Sequence, residues 1–187
     1  SGFIVIRGGN IIFQSPVQQH SFNYPYQLGS DENCDLPSSG EVFTVPVEPQ
    51  DVVVTGTDGL FDNLYTDDII AVVVSAIIDR LEPEVTAQKI AALAQQRALD
   101  KNWQSPFSAA AREFGYHHCG GKLDDITVLV SYISSPVSDS FANFNFASVC
   151  VYLAAASGPV CYTCQAFSTA WRIHTARLHM LVLATMS

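Results

Sequence analysis

Two acidic positions stand where apolar runs meet glycine-bearing loops. Asp58 follows Val52-Val53-Val54 and is flanked by Gly56 and Gly59, while Asp124 and Asp125 follow Gly120-Gly121 and precede the apolar run Ile126–Ile133. If both runs are strands and antiparallel neighbours in one sheet, the end of the first meets the start of the second, and the two acidic sites share an edge. Carboxylates gathered at a low-dielectric edge repel one another, and a divalent cation removes that penalty. Hard cations such as Mg²⁺ or Mn²⁺ take oxygen ligands and keep several waters. A pair of them can hold a hydroxide and polarise a phosphate for in-line attack. The glycines allow close approach of backbone to such a site. The same residues also suit a plainer reading, because Asp-Gly after a strand is a turn signal and Asp-Asp before one can be a solvated cap.

The elements around these positions read as strands, then helices, then a strand. Phe3–Ile6 and Ile11–Phe13 form a hairpin through Gly8-Gly9-Asn10, which can supply positive φ. Residues 14–40, with Pro16, Pro25, Gly29, Pro37 and Gly40, read as a long surface loop. Two strands follow, Glu41–Val47 and Asp51–Thr55; the fully apolar Val52-Val53-Val54 marks the second as buried. Thr66 suits an N-cap, with Asp67 and Asp68 at the positive end of the helix dipole; Ile69, Val73, Ala76 and Ile77 make the apolar stripe, which Leu81 ends. Pro83 opens a second helix whose core side is Ile90, Leu93, Ala94 and Ala98. Ser105-Pro106 caps a third, short helix that Gly115 stops. Without strict βαβ alternation, this order predicts an α+β layered domain.

Two longer stretches carry a resemblance. Val54-Thr55-Gly56-Thr57-Asp58-Gly59-Leu60-Phe61-Asp62-Asn63 resembles the Asp-Gly motif of the type 2C protein phosphatases, the PPM family. Gly121-Lys122-Leu123-Asp124-Asp125-Ile126-Thr127-Val128 resembles that family's final motif, and the two helices between the motifs fit as well. Ser1-Gly2-Phe3 resembles the residues just after the family's Gly-Asp-Ser motif. Residues 15–23 and 104–122 are similar to its plant and organellar branch, which by analogy suggests a plastid or mitochondrion.

The resemblance covers nearly all of residues 1–135. It implies an α-β-β-α sandwich with two Mg²⁺ or Mn²⁺ ions between the sheets, and phosphoserine or phosphothreonine hydrolysis on phosphoprotein substrates by metal-activated water. By position it makes Asp58 and Asp124 metal ligands; Asp125, where Asn often stands, would support a ligand or close the turn. The family's bridging Asp belongs to an N-terminal half that has no counterpart in these residues. The expectation is therefore a C-terminal fragment with a partial sandwich, incomplete and inactive alone. A non-catalytic regulatory or partner-binding fragment is the alternative, and a simple divalent-cation-binding module is a third reading.

Composition bounds these readings. The chain has 187 residues, 48% of them hydrophobic, and a formal net charge of −9. That is enough for one real core, and an acidic surface argues against nucleic acid and against anionic membrane as partners. Five cysteines, an odd number in a chain of this length, do not make a disulfide scaffold. Cys119 begins like the loop of cysteine-dependent phosphatases, but Asp125 stands where that loop needs Arg, and an acid there repels phosphate. Residues 136–187 form a separate problem, an atypical tail expected to be poorly ordered: only Asp139, Arg172 and Arg177 are charged there. Phe146–Thr163 approaches the length of a membrane span, yet Gly158-Pro159 breaks it. Cys161 and Cys164 with His174 and His179 imitate a zinc finger at the wrong spacing.

Overall fold

The computed structural model describes residues 1–27 and 34–134, together with the backbone of strands at 147–154, 170–174 and 177–182. The chain opens with β1 (Gly2–Arg7) and β2 (Asn10–Gln14). Gly8 and Gly9 join them at φ 55° and 78°, the left-handed pair a tight hairpin requires. A small hairpin of β3 (Gln19–Ser21) and β4 (Tyr24–Pro25) follows, within the stretch that the sequence suggests is loop. Next come β5 (Glu41–Pro46) and β6 (Val52–Gly56).

Four helices intervene: α1 (Asp58–Phe61), α2 (Thr66–Ile78), α3 (Pro83–Leu99) and α4 (Pro106–Glu113). Strand β7 (Ile126–Tyr132) completes the part described with side chains. Beyond it lie β8 (Ala147–Ala154), β9 (Ala170–His174) and β10 (Arg177–Val182). The remainder of Phe146–Thr163, with Cys161 and Cys164, lies outside the described residues; among those described, no helix is long and apolar enough to cross a membrane.

The main sheet runs β2-β1-β6-β7-β8, and all its pairings are antiparallel. Its central strands β1, β6 and β7 are buried along almost their whole length because both faces are covered, and they are mostly apolar, with Thr55, Thr127 and Ser131 as buried polar exceptions. Alternation sorts the side chains: Ile4, Ile6, Val52, Val54, Ile126, Val128 and Val130 face α2 and α3, where they meet Ile69, Val73, Ile90, Ala91 and Ala94. Phe3, Val5 and Val53 point the other way, onto Val45, Val47 and Phe43. In Val42-Phe43-Thr44-Val45, the alternate residues Phe43 and Val45 turn inward while Val42 is 67% exposed. A helical layer, a five-stranded sheet and a second β layer begun by β5, which pairs with β10, are thus stacked in order, a partial α-β-β-α arrangement.

Helix termini follow the sequence signals closely. Pro83 sits in the first turn of α3, the Ser105 side chain caps α4 by accepting from the Ser108 N–H, and Gly115 takes φ +80° just past that helix. Helix α2 departs in three respects. Its N-cap is Tyr65 and not Thr66, with the Asp68 carboxylate accepting from the Tyr65 N–H at 3.1 Å. It ends at Ile78 rather than Leu81, and Ile77 is 46% exposed because the helix turns that position off the sheet.

Candidate metal centre

The site is built where β6 ends and β7 begins. These strands are antiparallel neighbours, with Gly56 opposite Val128, so Asp58 and Asp124 arrive at the same rim. Asp58 does not sit in a turn: it starts α1, with Thr57 as N-cap. Thr57 ties this segment to the other side. Its N–H donates to the Thr127 carbonyl at 3.1 Å, its hydroxyl donates to the Asp125 carbonyl at 2.7 Å, and the same hydroxyl accepts from the Thr127 N–H at 3.0 Å.

Two further residues close the gap. A Cβ on Gly59 would lie 2.5 Å from the Asp125 carbonyl oxygen, so only glycine lets α1 approach the loop this closely. Asn63, fully buried, donates to the carbonyls of Gly59 at 2.9 Å and Lys122 at 2.8 Å, and accepts from the Lys122 N–H at 2.9 Å. One amide side chain therefore links the segment carrying Asp58 to the loop carrying Asp124.

The outcome is a carboxylate cluster. Asp58, Asp62 and Asp124 each offer an oxygen, and these oxygens lie within 4.8 Å of one another. Asp62 is absent from the sequence-derived candidates. It joins because α1 is helical: four residues bring it round to the side of Asp58, and its N–H donates to the Asp58 carbonyl at 2.7 Å. The Asp125 side chain is not part of the cluster; its N–H donates to Asp124 Oδ1 at 2.9 Å and its carbonyl serves Thr57. His118 places Nε2 3.2 Å from the Gly121 carbonyl and packs edge-on to Phe107, and Cys119 is an exposed thiol. Among the described residues the aspartates form the one such group.

Lys122 lies across the cluster, its Nζ 2.7 Å from Asp62 Oδ2 and 3.0 Å from Asp124 Oδ2. Burial pushes the Asp62 carboxyl above the ordinary range; Lys122 opposes the shift, and Asp58 and Asp124 add to it. Burial by itself would lower the Lys122 ammonium, but its contacts with Asp62 and Asp124 outweigh that and hold it above its usual value. Asp58 and Asp62 also line a groove of about 70 Å³, shared with Ser1, Gly2, Ser15 and Phe61. Three hard oxygen donors, clustered and part-buried, fit a Mg²⁺- or Mn²⁺-type ion by donor chemistry.

Comparison with known proteins places this architecture. Residues of the chain are 63% identical over 135 positions to the probable protein phosphatase 2C 55 of Arabidopsis thaliana, covering 72% of the chain and 29% of that protein. They are 60% identical over 135 positions to the probable protein phosphatase 2C 80 of the same plant, with 72% and 33% covered. The fold of the photosystem II phosphatase PBCP superposes with a TM-score of 0.64 at 33% identity, over 71% of this chain and 55% of that one. Over these residues the chain belongs to the type 2C protein phosphatases. The human homologue of protein phosphatase PTC7 is 37% identical over 142 positions, covering 72% of the chain and 47% of that protein. The type 2C segment thus spans between about a third and a half of the lengths of these relatives. No protein-family model matches the chain.

Proposed function

We propose that this chain supplies one carboxylate rim of a metal-dependent protein serine/threonine phosphatase, in which phosphoserine and phosphothreonine are hydrolysed by water activated at a binuclear Mg²⁺ or Mn²⁺ centre. The observation that carries the reading is the convergence of Asp58, Asp62 and Asp124 from two adjacent strand ends. Asp58 and Asp124 are the ligands that the type 2C motifs imply, and Asp62 is within reach to join them. Bound divalent cations would supply positive charge to polarise a phosphoryl group and to acidify water.

The chain's own residues set the geometry. Thr57 and Asn63 hold the two ligand-bearing segments in register, Gly59 keeps them close, and burial of Asp62 makes an uncompensated charge there costly. The rim offers three carboxylates, and a hard cation takes six or more oxygens, so two ions need donors from beyond it. The 187-residue chain alone is accordingly proposed to bind Mn²⁺ weakly and to leave a phosphothreonine peptide intact.

Calorimetric titration with Mn²⁺ and a phosphate-release assay test both halves. Weak binding that Asp58→Asn abolishes, without phosphate release, is the expected result. Equal binding by the variant would remove the metal reading, and rapid metal-dependent turnover by the isolated chain would remove the claim that the rim is insufficient.

A further inference from the structure

Lys122 sits where the charge of a divalent ion is wanted. Its Nζ contacts Asp62 at 2.7 Å and Asp124 at 3.0 Å, and its side chain is 19% exposed. Asp58 has no hydrogen-bond or ion-pair partner for its carboxylate among the described residues, so the lysine engages two of the three acids and leaves the third open. The placement does not rest on a loose stem. Asn63 grips the main chain of Lys122 from both sides, and the ammonium stands 4.8 Å from the centroid of the Phe107 ring. Phe107 is itself held by Phe22, at 5.2 Å, and by the ring of His118, at 4.8 Å.

We propose that Lys122 is a resident counter-cation that competes with the divalent metal: it neutralises Asp62 and Asp124 while no metal is bound, and the metal gains those oxygens only as the ammonium releases them. Like charges cannot share two carboxylates at hydrogen-bond range without strong repulsion. The lysine therefore stabilises the empty rim and weakens metal affinity at once. A lysine that merely braced the loop would show the first effect without the second. The competition rests on the metal reading proposed above; the counter-charge role does not.

Two measurements on the full chain separate these parts. In EDTA, Lys122→Met, which keeps length and contact with Phe107, lowers Tm by leaving the acids uncompensated, and adding Asp62→Asn to it restores much of the loss. In Mn²⁺ titration, Lys122→Met binds at least about tenfold more tightly, about 1.4 kcal/mol, whereas Lys122→Arg, which retains the charge, shows no such gain. An unchanged Tm in EDTA would overturn the counter-charge role. Binding by Lys122→Met no tighter than by the unmutated chain would overturn the competition and leave the metal site standing. Absence of Mn²⁺ binding by any of these chains would overturn the metal site, and the competition with it.

Discussion

Asn63 offers the sharpest test of how the rim is held together. Its side chain is fully buried and makes three hydrogen bonds, at 2.8, 2.9 and 2.9 Å, that join α1 to the loop before β7. Asn63→Ala removes all of them and leaves the Lys122 N–H without its acceptor. At roughly 1 kcal/mol net for each bond, the loss sums to about 3 kcal/mol, and stranding a part-buried donor pushes it upward. Asn63→Asp keeps the size and one acceptor but turns both donated bonds into contacts between a carboxylate and carbonyl oxygens, beside three other acids. It should cost at least as much, although the shape is unchanged. Equilibrium urea unfolding of the two variants against the unmutated chain measures this directly. A loss below about 1 kcal/mol for both would refute the view that this amide couples the two halves of the site.

Other outcomes rest on the same geometry. Gly59→Ala drives a methyl against the Asp125 carbonyl and should weaken Mn²⁺ binding by at least about tenfold in calorimetry, through displacement of α1 from the loop. Gly115→Ala, at φ +80° with open space around it, should cost about 1 kcal/mol in urea unfolding and leave Mn²⁺ affinity unaltered. Asp51 is fully buried, pairs with Arg7 at 2.7 and 2.8 Å and accepts from the Glu48 N–H; Asp51→Ala should lose about 2 kcal/mol or more of stability, again with Mn²⁺ binding unaffected. The Gln27 N–H, and after it His20, hold the Asp35 carboxyl below its ordinary value against an opposing effect of burial. A depressed carboxyl contributes its tie fully above the unfolded value of about 4 and loses it as pH falls through the lower folded value, so the Gln27 amide should lose its protection, relative to the intrinsic exchange rate at each pH, in that acid window. Protection already lost near neutral pH would contradict this assignment.

Much of the fold is written in local signals. Gly8-Gly9 and Gly115 permit the positive φ their turns need, while Pro83 and Ser105-Pro106 suit helix starts, and each stands where its chemistry requires. The adjacency of Asp58 and Asp124 is also legible, because a buried apolar strand ending in one acid and another beginning after the second need only pair antiparallel. Asp62 is not. Its membership depends on α1 being helical, and Gly56-Thr57-Asp58-Gly59 carries the signature of a turn, which hides the four-residue spacing. Asn63 and Phe22 escape for a different reason. Asn63 reaches the main chain of Lys122, and Phe22 stacks on Phe107, Phe114 and Tyr116; contacts so distant in the chain leave no periodicity to read. Ile77 shows the limit of a stripe: its type fits the buried face, yet it stays 46% exposed at the edge of the stripe while Ile69, Val73 and Ala76 are fully buried.

On the proposed reading Asp58, Asp62 and Asp124 form one divalent-cation site. Paramagnetic broadening of backbone amide resonances by Mn²⁺ tests it most directly, because the ion marks its own position. Loss of signal should concentrate at residues 57–63 and 122–127, and those signals should recover in Asp58→Asn. Broadening centred on another acidic segment, such as the start of α3 at Glu82 and Glu84, with residues 57–63 untouched, would contradict it.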